Sequence, residues 1–151
     1  MAASGGNAVV GPGIEIRHAS CVSVAGAGVL ILGASGAGKS GLALQLLAMG
    51  AGLIADDRTR LRRLPAGEVL ADCPEEIRGR IEVRGVGILG VAPAEPAVLR
   101  LVVDLDRPED ARLPPMRETE ILGCRLPLLH NPATPHFPAA ILMYLRGGRV
   151  F

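Results

Sequence analysis

Residues 29–50 read VLILGASGAGKSGLALQLLAMG, and this stretch decides the fold. An apolar run, a glycine-rich loop and a leucine-rich segment follow one another directly, which predicts strand, loop and helix. The loop GASGAGKS (33–40) fits G-x-x-x-x-G-K-[ST] in full, with the flanking elements that pattern requires. Gly33, Gly36 and Gly38 admit backbone conformations closed to other residues. Successive N–H groups of Gly33, Ala34, Ser35, Gly36, Ala37 and Gly38 can therefore converge on phosphate oxygens. The start of the helix adds its partial positive charge. Lys39 is placed to neutralise the β- and γ-phosphates of a nucleotide, and the Ser40 hydroxyl to ligate Mg²⁺. The helix is expected from Lys39 to Met49, with Leu42, Leu46 and Met49 on one stripe and Gly50 as its stop.

One compositional fact strengthens the loop reading. Of 16 basic residues, Lys39 is the only lysine. A chain that otherwise uses the planar arginine fork has kept a compact ammonium at the one position that reaches between phosphate oxygens.

Outward from the loop, the composition sets bounds. A chain of 151 residues is expected to fold as one domain, and 49% hydrophobic with 21% charged residues argues against disorder. The net charge of +1 gives no electrostatic case for nucleic acid or an anionic membrane, and 2% aromatics without Trp weakens base stacking. The N-terminus has no basic lead segment, and its apolar runs are too short and glycine-broken to span a membrane. Cys21, Cys73 and Cys124 are odd in number and far apart. They form neither a disulfide framework nor a zinc pattern and suit a reducing cytoplasm as buried small hydrophobes.

Residues 1–13 are expected to be a flexible N-terminal tail and residues 14–151 a single domain. Segment 14–24 alternates as a strand, 25–28 turns, and 29–33 is the strand entering the loop. GLIADD (52–57) is an apolar strand ending in two carboxylates. Short strands and turns fill 58–80, a glycine-broken pair of strands 81–91, and a clear strand 98–106. Residues 107–138 hold seven prolines and read as extended or loop with a strand at 120–129, and 139–148 has helical spacing. The fold class is α/β, with a P-loop nucleotide-binding core and a strand-rich second half, and no signature of a doubly wound sheet.

A phosphate loop does not by itself separate a kinase from a switch or an ATPase, so the carboxylates carry the decision. Asp56 and Asp57 are adjacent at a strand end, so their side chains point to opposite faces and only one can face a γ-phosphate as a base. The other is left for the metal, a structural partner or a turn. Asp104, after LRLVV, competes for the metal or base role as a Walker B-like strand end, and a solvated strand end is the preferred reading. Glu82 and Arg84 lie two apart on one strand face, a carboxylate for Mg²⁺ and a guanidinium for developing phosphoryl charge.

Together, HASCVSVAGAGVLILGASGAGKSGLALQLLAMGAGLIADD (18–57) and IEVRGVGILGV (81–91) resemble the catalytic C-terminal domain of the HPr serine kinase/phosphorylase family. More narrowly, the chain looks like the short alphaproteobacterial form that lacks the N-terminal domain. The resemblance covers residues 14–106 and rests on three separated motifs in order. It implies a core similar to that of phosphoenolpyruvate carboxykinase. It further implies ATP- and Mg²⁺-dependent phosphorylation of a seryl hydroxyl on HPr, the small phosphocarrier of the phosphotransferase system. By the same resemblance Asp56 is the base, and the acid in the reverse reaction, with Asp57 beside it. Glu82 helps hold Mg²⁺, His18 lies near the site, and the assembly is a homo-oligomer, hexameric in the family.

Two departures stand out. Gly41 replaces a glutamate usual after the loop serine in long members, and LPLLHNPATPHFPAA (126–140) lacks the proline-glycine-arginine loop tied to dephosphorylation. The resemblance thus carries the kinase reaction and leaves the phosphorylase reaction open. Two rival readings remain: a P-loop small-molecule kinase, and a non-catalytic ATP-binding regulator.

Overall fold

The computed structural model describes residues 7–151. Its elements run β1 (Ala8–Gly11), β2 (Ile14–Arg17), β3 (Ala19–Val24), β4 (Ala27–Leu32), α1 (Lys39–Ala48), β5 (Gly52–Ala55), β6 (Thr59–Arg63) and β7 (Val69–Asp72). A single 3₁₀ turn, Glu75–Ile77, leads to β8 (Arg80–Val83), β9 (Gly87–Gly90), β10 (Ala97–Pro108), β11 (Arg117–Ile121), β12 (Cys124–Asn131) and α2 (Phe137–Gly147). The strand–loop–helix unit and the strand-rich second half are as the sequence predicts.

One mixed sheet carries the fold, in the order β1-β2-β6-β7-β10-β4-β3-β5, with β12 also paired to β10 and β11 to β12. At its centre β10 runs parallel to β4 on one edge (Val102 opposite Leu30) and to β12 on the other (Val102 opposite Leu128). Most other pairings are antiparallel, and β8 and β9 form a separate hairpin. The central strands are buried on both faces, so their apolar residues sort by parity. Leu30 and Val102 face one core with Leu61, Ala71 and Ile121. Val29, Ile31, Leu101 and Val103 face a second core with α1 and α2, through Leu42, Leu46, Phe137 and Ile141. Ile81 of β8 joins that second core and anchors the hairpin under α1, which brings Glu82 and Arg84 toward the loop.

Three expectations are corrected, the first being the single strand at 120–129, which is a hairpin turning at Leu122–Gly123 between β11 and β12. Of the tail expected over 1–13, residues 1–6 lie outside the described residues, but Ala8–Gly11 form a strand. The reversal at Gly13 (φ +71°) returns AVVG antiparallel to β2, Ala8 opposite Ile16, and so pairs the outer edge of that strand. The single strand expected over 14–24 is two, because the chain changes partners at His18: β2 pairs with β6, whereas β3 pairs with β4 and β5.

All three cysteines are free and buried, as expected. Burial pushes the Cys73 thiol up to about 11 and raises Cys21 further.

Candidate active site

The loop is built to hold an anion. Gly38 stands before α1 at φ +101°, no side chain caps the helix, and its first turn contains no acid. The N–H groups at the helix start therefore have no side-chain acceptor and converge on open space. Gly33 is required by crowding, since a Cβ there would stand 3.0 Å from that of Ala37 and 3.3 Å from that of Leu105. On the far side, Asp106 of β10 accepts the Ala34 N–H through both carboxylate oxygens, at 2.9 and 3.1 Å.

Lys39 is buried and folded against the loop. Its Nζ donates to the carbonyls of Gly33 (2.8 Å) and Ala34 (3.2 Å) and lies 3.3 Å from His18 Nε2. An ammonium can only donate, so Nε2 is the acceptor and the neutral ring carries its proton on Nδ1. That nitrogen comes to 3.1 Å from Asp57 Oδ1, out of line for a directed hydrogen bond.

The two aspartates divide as their alternation requires. Asp56 is buried, 8% exposed, and held from three directions. Its Oδ1 accepts from Ser40 Oγ at 2.6 Å and Ser20 Oγ at 2.9 Å, and its Oδ2 from the Glu82 N–H at 3.0 Å. Asp57 sits at φ +69°, at the centre of a tight turn closed by the Arg58 N–H on the Asp56 carbonyl (2.8 Å). That backbone turns its side chain outward, 59% exposed, with His18 as its neighbour. The Ser20 hydroxyl ties the pair together by also accepting the Asp57 N–H at 3.2 Å.

These groups line a cavity of about 580 Å³. Lys39, Ser40, Asp56, Asp57, Glu82 and Arg84 all line it. Ser35, Gly36 and Gly38 reach it, while Gly33 and Ala34 serve through their backbone and His18 stands behind Lys39 and Asp57. Asp104 is not part of it and pairs with Arg107 at 3.3 Å. Two participants escaped the sequence reading. Ser20 lies two residues beyond His18, a spacing that was available as a signal, and Asp106 acts across 72 residues of sequence, for which there was none.

Among the described residues no cluster of three or more His, Cys, Asp or Glu side chains could cage a metal. Ser40, Asp56 and Glu82 are instead the sparse oxygen set that suits Mg²⁺, which takes one or two carboxylates and fills its sphere with phosphates and water.

Fold and site define a P-loop-type domain: a glycine-rich loop at a strand end of a mixed sheet, faced by carboxylates and a guanidinium. The model of the HPr serine kinase C-terminal domain matches residues 14–112, and the chain belongs to that family. It is 43% identical over 119 residues to an HPr kinase/phosphorylase of Aromatoleum aromaticum, covering 70% of this chain and 38% of that protein. An HPr kinase/phosphorylase of Caldicellulosiruptor bescii is 38% identical over 139 residues, 84% of this chain and 45% of its own. The chain thus spans less than half the length of these curated relatives. The solved structure of the HPr(Ser) kinase/phosphatase from Coxiella burnetii superposes with a TM-score of 0.74 at 28% identity, covering 87% of this chain and 88% of that one.

Proposed function

We propose that the chain is an ATP- and Mg²⁺-dependent protein-serine kinase whose acceptor is HPr or an HPr-like phosphocarrier. The observation that carries this reading is the exposed carboxylate of Asp57, which lines the same cavity as Lys39 and Ser40 of the phosphate loop. A carboxylate reachable from solvent beside a phosphate site suits an acceptor hydroxyl delivered by another protein.

In this reading the base is Asp57 rather than Asp56, to which the resemblance assigned that role. Asp56 already accepts three hydrogen bonds and is almost closed to solvent, which suits it to orient Ser40. The acceptor oxygen bonds to the γ-phosphorus, the bond from that phosphorus to the β,γ-bridging oxygen breaks, and the hydroxyl proton passes to Asp57. Mg²⁺, held by Ser40, Asp56 and Glu82, would draw charge from the phosphates. Lys39 leaves the Gly33 and Ala34 carbonyls to meet the β- and γ-oxygens, and Arg84 steadies charge on the transferring group. His18 accepts from Lys39 on one side and stands beside Asp57 on the other. The reverse, phosphorolytic reaction would use Asp57 as acid. Homo-oligomeric assembly and a cytoplasmic setting belong to the same reading. Among the described residues no helix is long and apolar enough to cross a membrane.

The test is incubation of the purified chain with γ-labelled ATP, Mg²⁺ and HPr. Label on HPr, absent with Asp57→Asn, supports the proposal. Label transferred to a metabolite with HPr ignored would make it a small-molecule kinase. ATP binding without turnover would make it a regulator.

A further inference from the structure

The central strand β10 breaks register beside the phosphate loop. Asp104 stands opposite His130 of β12, but the next pair is Pro108 with Asn131, so Leu105, Asp106 and Arg107 bulge out of that ladder. On its other edge β10 parts from β4 at Asp104 opposite Leu32, where the glycine loop begins. Side chains take up the backbone groups of the bulge. Asn131 Nδ2 donates to the Leu105 carbonyl at 3.3 Å, and the Asp106 N–H donates to Asp104 Oδ1 at 3.0 Å. Asp104 is itself paired with Arg107 at 3.3 Å. Bulges recur beside functional sites because they re-aim a side chain. The side chain re-aimed here is that of Asp106, whose two carboxylate oxygens accept the Ala34 N–H at 2.9 and 3.1 Å.

One peptide unit is therefore clamped at both ends. The Ala34 N–H meets the Asp106 carboxylate, and the carbonyl of the same peptide, that of Gly33, accepts from Lys39 Nζ at 2.8 Å. The next carbonyl is secured separately, since that of Ala34 also accepts the Ala37 N–H at 2.9 Å. Lys39 must let go of both carbonyls to reach the β- and γ-oxygens of a nucleotide. Gly33, without a Cβ, would then let its peptide flip cheaply. We propose that Asp106 is a positioning residue of the phosphate loop: its carboxylate keeps the Gly33–Ala34 peptide from flipping while Lys39 is on the phosphates. A flip would turn the Gly33 carbonyl toward the Asp106 carboxylate, and the oxygens repel. The inference rests on the reading of GASGAGKS as a nucleotide loop. Asp106 is exposed, so its repulsion of the ligand is screened by solvent and weaker than its hold on the peptide.

The experiment is calorimetric titration of the whole chain with MgADP, beside NMR of the Ala34 amide proton. Asp106→Ala should weaken MgADP about tenfold, the order of one residue's backbone ordering. Asp106→Asn keeps an acceptor oxygen and should restore the affinity to within about threefold of wild type. The melting temperature of the empty chain should stay within about 2 °C in both, because Lys39 still holds the peptide there. In wild type the Ala34 resonance should lie downfield with and without MgADP, and Asp106→Ala should move it upfield. Binding by Asp106→Ala within about twofold of wild type or tighter, or Asp106→Asn as weak as Asp106→Ala, overturns the inference. So does a wild-type Ala34 resonance that moves upfield on binding MgADP, since the contact is then released. A larger fall in melting temperature, up to failure of Asp106→Ala to fold, would make the residue structural and overturn the inference as well. Wild type that does not bind MgADP overturns the nucleotide-loop reading itself, and this inference with it.

Discussion

Replacing each aspartate of the pair by asparagine should separate a base from a scaffold. Asp57 is exposed, its neighbour is a single histidine, and its backbone lies at φ +69°. Asparagine tolerates that left-handed conformation at least as well as aspartate, so Asp57→Asn should leave folding stability within about 0.5 kcal/mol. Its transfer rate should fall by about two to four orders of magnitude, the usual worth of a positioned base. Asp57→Ala loses the same activity but adds roughly 1 kcal/mol of backbone strain. Asp56→Asn behaves differently. The amide can keep its carbonyl on the Glu82 N–H only by turning its NH₂ toward Ser20 and Ser40. Ser20 Oγ already accepts the Asp57 N–H, and its own proton then has no acceptor. Losing charge-assisted bonds around a buried group should cost about 2 kcal/mol, or roughly 4–8 °C of melting temperature in a chain of this size. Thermal unfolding and single-turnover transfer, run on the same preparations, give both numbers. Wild-type transfer by Asp57→Asn, or an unchanged melting temperature for Asp56→Asn, would refute the division of roles.

Lys39→Arg should lose nucleotide binding nearly as fully as Lys39→Ala, because the buried slot against the Gly33 and Ala34 carbonyls fits an ammonium and not a fork; equilibrium titration with ADP measures it. Gly38→Ala meets no atom within 4 Å, so its cost is conformational alone, about 1–2 kcal/mol by chemical denaturation. Leu46→Ala, at a fully buried position under α1, should destabilise by about 2–5 kcal/mol in the same measurement. The Cys73 thiol is raised in the fold to about 11 from an unfolded value near 8.5, so above pH 8.5 the unfolded chain releases its proton first. Stability should hold below that pH and fall as the pH climbs toward 11, and Cys73→Ala should flatten the slope of the denaturation midpoint against pH.

What could be read from the sequence was local. Strand, loop and helix over residues 29–50 follow from an apolar run, three glycines and a leucine stripe that need no distant partner to be recognised. The opposition of Asp56 and Asp57 follows from the two-residue period of extended chain. Which of them faces inward does not, because that depends on Ser20, brought 36 residues across the β3–β5 pairing, and on the left-handed turn at Asp57. The break at His18 was hidden for the same reason: a change of strand partners leaves the alternation of IEIRHASCVSV almost intact. Asp106 was hidden more deeply. Its carboxylate reaches Ala34 only because β10 lies parallel to β4, a pairing that no local pattern encodes. The strand at Ala8–Gly11 was masked by a small-residue, glycine-rich context that reads as tail.

The proposed function is the transfer of a phosphoryl group from a nucleotide to a serine of a carrier protein. Mass-spectrometric mapping of HPr after incubation with the chain, ATP and Mg²⁺ tests it most directly. One phosphate is expected, on a seryl oxygen, formed by wild type and lost with Lys39→Ala and with Asp57→Asn. Unmodified HPr with active wild-type preparations, or phosphoserine formed equally by Asp57→Asn, would contradict it.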